Sequence, residues 1–345
     1  MEDDSLKLTF YSYHGVEKEF DEFLDTYCAQ MIVKSANKPN VNPKPQNERV
    51  CRFCGNSMNE TSFKKVAHLI PEFLGNHCLV SDFECDQCNV KFGDFETNFA
   101  NWIGVFRTVT GTKGKKNNVP KFITAQETVM AIWNREQEFV DITSTNGIES
   151  NFDNGKLVLK YTRPGYIPIK VYKSFLKIAL STIEEKDVVQ YQRAFKFISG
   201  NDDDKLFKEF AKVICHKLPW QHRTLNPIGL LFKKRDPNVE IPCHFFNLYF
   251  LNFIYCFPLP FNEIDIKVGC YNSLSVISPP PLLFTPPDPQ STFHGTVENL
   301  SSDSKTKQEE TLTVNILPEE LLKIMAEAGN PSDAKITQIR FKLNS

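Results

Sequence analysis

The sequence has almost no net charge, no long uninterrupted apolar run and no internal repeat, and each absence narrows what the chain can be. Its 40 basic residues stand against 42 acidic ones, a formal charge of -2 over 345 residues. No global field draws such a chain to a polyanion, so any nucleic-acid contact must be a local patch. The longest apolar stretch, Phe245 to Phe261, is interrupted by Asn247, Asn252, Pro258 and Pro260. A membrane span needs about 20 mostly apolar residues. The stretch therefore predicts two buried strands and no membrane partner. The opening MEDDSLKLTF lacks the basic stretch and apolar run of a secretory signal. The missing repeat excludes solenoids and propellers.

What is present is the balance of a globular protein, with 41% apolar and 24% charged residues. Tryptophan and methionine are scarce, and phenylalanine, with 29 copies, must dominate the core. The length allows two domains. The 10 cysteines, without a signal, fit a reducing, cytoplasmic setting with a metal site better than a disulfide scaffold. Six of them, Cys28, Cys78, Cys215, Cys243, Cys256 and Cys270, are scattered and read as core.

Val16 to Ala36 carries apolar residues at helical spacing, and Lys38 to Glu48 reads as a linker rich in Pro and Asn. Strands are expected at Phe139 to Thr143, Lys156 to Thr162, Gly229 to Lys233, Pro242 to Leu251 and Ile264 to Val268. Helices are expected at Tyr172 to Thr182, Leu206 to His216 and Leu317 to Ala328. The Pro-rich Ser278 to Pro289 and the polar Ser301 to Glu310 predict irregular chain.

The chemistry-bearing segment is CRFCGNSMNETSFKKVAHLIPEFLGNHCLVSDFECDQCNVKFGDFE, from Cys51 to Glu96. Two CxxC pairs, Cys51 with Cys54 and Cys85 with Cys88, offer four thiolates on two tight knuckles, the ligand set of a structural zinc site. The intervening chain has room for a hairpin, and it holds His68 where a hairpin can aim it. A neutral imidazole can accept a proton from water near pH 7.

On these residues the segment resembles the HNH endonuclease superfamily, in particular zinc-bearing branches such as the phage recombination endonuclease VII family. The resemblance covers about residues 50 to 102. It implies a ββα-metal fold in which a catalytic His ends the first strand, here His68 in AHLIP, and an Asn follows the last cysteine, here Asn89 in CDQCN. It also implies a catalytic Mg²⁺ or Mn²⁺, for which Asn89 is a candidate ligand. The family motif places Asp or Glu directly before the His, whereas this chain has Ala67. Glu72, in the turn after His68, is the first candidate to replace that carboxylate, and Glu96 the second. His77 reads as a surface residue, and His216, His222 and His244 have no metal spacing.

Past the module, Arg107, Lys113, Lys115, Lys116 and Lys121 form a basic stretch without an acidic residue, and Gly111 and Gly114 mark it as a loop. Such a loop can hold phosphates with little sequence preference. The expected class is α+β: a ββα-metal HNH module with a four-cysteine zinc site, plus a larger α+β C-terminal domain. The expected division is 1–49, an N-terminal helix and linker; 50–121, the nuclease module with its basic loop; 122–296, an α+β domain; and 297–345, a flexible linker and tail. The expected function is metal-dependent cleavage of DNA, double-stranded, as an effector of a bacterial defence system or mobile element. Residues 122–345 would contact a protein partner. The alternative, motivated by Ala67, is a zinc module that binds nucleic acid or protein without cutting.

Overall fold

The computed structural model describes residues 9–13, 15–34, 44–124, 126–151, 156–200, 205–218, 222–268, 282–283, 295–315 and 336–341. Among them the chain forms a mixed α and β fold in two interleaved compact units. The first comprises Met1–Pro71, Asn76–Phe92 and Tyr172–Ser301; the second comprises Glu72–Gly75, Gly93–Val171 and Ser302–Ser345.

In chain order the elements are α1 (Glu17–Thr26), β1 (Tyr27–Lys34), β2 (Ala67–His68), β3 (Val80–Ser81), α2 (Asp86–Ile103), α3 (Phe106–Val109), β4 (Phe122–Ile123), β5 (Val129–Asn134), β6 (Phe139–Asn151), β7 (Lys156–Thr162) and α4 (Pro168–Thr182). There follow α5 (Glu185–Val188), α6 (Gln192–Ser199), α7 (Lys205–Glu209), β8 (Lys212–Lys217), β9 (Thr224–Lys234), β10 (His244–Leu251), β11 (Phe253–Pro258), α8 (Glu263–Val268), β12 (Gly295–Asn299), β13 (Glu309–Asn315) and β14 (Ile336–Phe341).

The first unit is built on a six-stranded antiparallel sheet in the order β1-β9-β10-β11-β8-β12. Every residue of β10 is buried, as its nearly unbroken apolar run requires of a strand covered on both faces. One face packs Phe245, Tyr249 and Ile254 with Phe23, Tyr27 and Phe232. On the other, Phe246 packs on Phe257, and Phe257 meets Tyr172 and Phe175 of α4 at centroid distances of 6.0 and 6.1 Å. The apolar run from Phe245 is thus two buried strands joined at Leu251 and Asn252, as expected, and no helix among the described residues is long and apolar enough to cross a membrane.

The second unit holds a sheet ordered β13-β7-β6-β5-β4, with β14 also paired to β6. Its core gathers Val105, Val109, Val129, Val140, Ile142, Leu159, Tyr161 and Ile339.

Four expectations change. The helix predicted from Val16 stops at Thr26, and Tyr27 to Lys34 is an edge strand on β9. The register slips between Ala29 and Met31, and that bulge breaks the alternation that would have marked a strand. Leu206 to His216 divides into α7 and β8, because the run at Val213 to Cys215 pairs between β11 and β12. Ile264 to Val268 is helical: the Asn262 side chain accepts the Ile264 N–H at 2.9 Å, and Glu263 and Asp265 sit in the first turn, the signature of a helix N-terminus. Described parts of the two end segments are sheet strands: β1 joins the first sheet, and β13 and β14 join the second, where a helix with a linker and a flexible tail were expected. The helix predicted at Leu317 to Ala328, Cys270 and most of the Pro-rich stretch lie outside the described residues.

Candidate functional site

The first knuckle is a backbone turn closed on itself. The Cys51 N–H donates to the Asn56 carbonyl at 2.9 Å, and the Gly55 N–H to the Cys51 carbonyl at 2.8 Å. Gly55 has φ +78, a left-handed conformation that side chains disfavour, so the turn needs glycine there. The second pair opens α2, where the Cys88 N–H points at the Cys85 sulfur at 3.5 Å. A helix N-terminus favours thiolate in this way.

The four Sγ atoms lie within 4.8 Å of one another, with Cys54 and Cys85 at 3.8 Å. A tetrahedral zinc with Zn–S near 2.3 Å has sulfur–sulfur edges of ~3.8 Å. The hydrogen bond with Cys88 pulls the Cys51 thiol down to about 5 against its burial. That bond pushes Cys88 well up, and burial with the neighbouring thiols pushes Cys54 to about 11. Four thiols this close cannot all ionise unless a cation holds them together. The donor set fits a closed structural zinc, with no position left for a reacting water.

Between the knuckles lies the expected hairpin. Ala67 pairs with Ser81 and His68 with Val80. His68 ends β2 and is half-buried, while Ala67, pointing to the opposite face, is only 1% exposed. The position before the histidine is thus a buried methyl, which offers a cation nothing.

Three side chains outside the expected site residues hold the hairpin in place. Asn76 is fully buried; its Nδ2 donates to the Ile70 and Leu79 carbonyls at 2.6 and 3.0 Å, and its Oδ1 accepts from the Cys78 and Leu79 N–H groups at 3.1 and 2.9 Å. One amide thus satisfies four backbone groups of the loop. Asp86, the first residue of α2, accepts from Ser62 Oγ at 2.5 Å and from the Lys64 and Lys65 N–H groups at 3.1 and 2.8 Å. Burial would raise its carboxyl, but these donors more than offset it, and the net shift is downward. Lys177 of α4 is the third, with its ammonium 3.0 Å from the buried Glu84 carboxylate. The Gly-Asn pair at Gly75 and Asn76 was a readable turn signal; nothing local distinguished Lys177 from the other lysines of its helix.

Asn89 follows Cys88 in α2, and its Nδ2 donates to the Val66 carbonyl at 3.1 Å. His68, Asn89 and the four cysteines all belong to the first unit, whereas Glu72 and Glu96 belong to the second. Glu72 opens a short 3-10 turn to Leu74, and Glu96 is half-buried in the later part of α2. His77 is exposed, as expected; His216 and His244 are buried in the sheet.

The basic stretch is a short helix, α3, followed by a turn-rich loop. Lys113, Lys115, Lys116 and Lys121 are exposed. Arg107 is placed differently: its Nε donates to the Phe73 carbonyl at 2.9 Å, its guanidinium lies 5.0 Å above the Phe73 ring, and burial lowers it to about 10. It braces the turn after Glu72, leaving the four lysines as the loop's outward cations.

No curated protein and no solved structure matches the chain. A family model described as HNH endonuclease matches residues 51–100, which hold both knuckles, the hairpin and most of α2. Because that match falls on a histidine-ended hairpin clamped to a helix by four metal-ready thiols, residues 51–100 belong to the HNH endonuclease superfamily.

Proposed function

We propose that the chain is a metal-dependent endonuclease that hydrolyses DNA phosphodiester bonds, with His68 as its general base. The observation that carries this reading is the family match over a hairpin that ends on His68. In the proposed reaction the imidazole takes a proton from water as its oxygen attacks phosphorus. The bond from phosphorus to the bridging oxygen breaks, and that oxygen leaves with a proton from solvent. The zinc cluster is scaffolding. A second divalent cation, Mg²⁺ or Mn²⁺, neutralises phosphate charge when bound, and such an ion needs only one or two protein oxygens. Asn89 is the proposed ligand in the first unit. With its Nδ2 engaged by Val66, Oδ1 is the donor Asn89 has to offer.

The exposed Lys113, Lys115, Lys116 and Lys121 are proposed to contact phosphates of a double-stranded substrate, with Arg107 as the brace beneath them. The proposed setting is a cytoplasmic effector of a bacterial defence system or mobile element, in which residues 122–345 engage a protein partner.

Ala67 favours a second reading, a module that binds nucleic acid or a partner without cutting. Nicking of supercoiled plasmid by purified protein with Mg²⁺ or Mn²⁺ separates the two. Metal-dependent nicking is expected; tight DNA binding with no nicking in either metal supports the second reading instead.

A further inference from the structure

The family match ends at residue 100, yet a buried cation from a distant helix reaches into the module. Lys177, in α4, has a side chain 1% exposed. Its Nζ donates to the backbone carbonyl of His68 at 2.5 Å, lies 3.0 Å from Glu84 Oε2, and sits over the Phe92 ring at 5.9 Å. A buried ammonium has three N–H donors and must find acceptors. Here the acceptor is the main chain of the proposed base, and the ammonium's charge is matched by the carboxylate of the residue directly before Cys85. One side chain therefore ties the His68 strand to the second knuckle.

The C-terminal end of the same helix is held by the first knuckle. Arg52, between Cys51 and Cys54, donates to the Ser181 and Ile183 carbonyls at 3.2 and 3.0 Å and pairs with Glu185 at 2.8 Å. These are carbonyls that a helix end leaves without internal partners, and a cation there also complements the helix dipole. A later helix of the same unit, α6, is tied in as well: Ser199 Oγ donates to the Phe53 carbonyl at 2.7 Å, and Lys91 to the Ser199 carbonyl. Among the described residues of this unit, α4 thus meets both knuckles and the hairpin.

We infer that Lys177 is a positioning residue for His68, and that α4 is a working part of the nuclease centre although it lies outside the matched segment. The inference rests on the nuclease reading above. A buried ion pair adds little net stability against apolar replacements, so the role inferred for this one is to hold the backbone at His68 in place. The His68 carbonyl belongs to the backbone that aims the imidazole, and small misplacements of a reacting group are costly in rate.

The test uses the full chain carrying Lys177→Met with Glu84→Gln, which removes the pair without stranding a buried charge. Three readings are taken: zinc content, plasmid nicking under saturating and limiting DNA, and the ring NMR signals of His68, assigned by their loss in His68→Gln. With zinc retained, kcat is expected to fall by roughly 10-fold or more while KM stays near wild type, and the His68 signals are expected to move. A kcat within about twofold of wild type, with unmoved signals, overturns the inference. If wild type itself does not nick DNA, the nuclease reading has failed and the NMR decides alone: moved signals uphold the positioning role, unmoved signals end it. Should the double variant lose zinc, Glu84→Gln alone, close to isosteric, is measured in the same way.

Discussion

The side-chain amide of Asn89 donates to the backbone carbonyl of Val66, two residues before His68, at 3.1 Å. The helix that carries Cys88 is thereby latched to the strand that ends on the proposed base. Asn89→Ala removes the latch and the proposed cation ligand together; Asn89→Asp removes the N–H donor but keeps an oxygen. Both are expected to lose about 1 kcal/mol of stability, the usual net worth of one such bond. Nicking is expected to fall further in Asn89→Ala than in Asn89→Asp. Equal activity in the two, measured at saturating Mg²⁺, would argue against Asn89 as a cation ligand.

The thiol cluster predicts about one tightly held zinc per chain, the load of one four-cysteine site. Single Cys-to-Ser changes at Cys51, Cys54, Cys85 or Cys88 are expected to abolish that load and to lower the melting temperature, because metal binding is part of the module's folding free energy. Cys78→Ser, at a half-buried thiol outside the cluster, is expected to keep it. Elemental analysis in reducing buffer checks both.

Asp187 sits in a buried network in the first unit. It accepts from Gln30 at 2.9 Å and from Lys233 at 2.7 Å, and lies 3.6 Å from His244, whose other ring nitrogen meets Tyr191 at 2.8 Å. The neighbouring His244 ring, joined by Lys233 and Gln30, holds its carboxyl far below the ordinary range despite burial. A carboxyl lowered by folding adds stability that is complete above its unfolded value, near pH ~4, and is lost as pH falls through the folded value. Asp187→Asn is therefore expected to be less stable than wild type at pH 7, with the gap closing as pH drops below about 4. Denaturation curves across that range check this; a gap that stays constant down to pH 2 contradicts it.

The basic loop separates two kinds of cation. Replacing Lys113, Lys115 and Lys116 with Ala is expected to weaken DNA binding and to reduce the salt slope by up to about three units, near one for each phosphate no longer neutralised. Arg107→Ala removes the brace on the Phe73 carbonyl, so it is expected to lower the melting temperature. Filter binding at several salt concentrations and a thermal melt distinguish them. A triple variant with an unchanged slope would remove the loop from the DNA surface.

The knuckles and His68 were legible because their information is local: two residues between paired cysteines, and one histidine in a gap long enough for a hairpin. The buried strands of Phe245 to Phe261 were legible because unbroken apolar runs have few other homes. What escaped was set by distant pairing. The bulge near Gln30 hid β1, and the same residue reaches Asp187 only because β1 lies on β9. The α4 helix was read correctly, but its lysines at 170, 173 and 177 look alike in sequence. The structure half-buries Lys170 beside Asp94 and encloses Lys177 completely. The interleaving of the two units follows from strand order, which no local pattern encodes.

Whether His68 is the base is decided by metal-dependent plasmid nicking by wild type and by His68→Ala, at equal zinc content and equal DNA affinity. A base that activates water contributes typically ~10² to 10⁴-fold to rate. Wild type is expected to nick, and His68→Ala to lose at least about 100-fold of that rate. Undiminished cutting by His68→Ala, with zinc and DNA binding intact, would contradict that role.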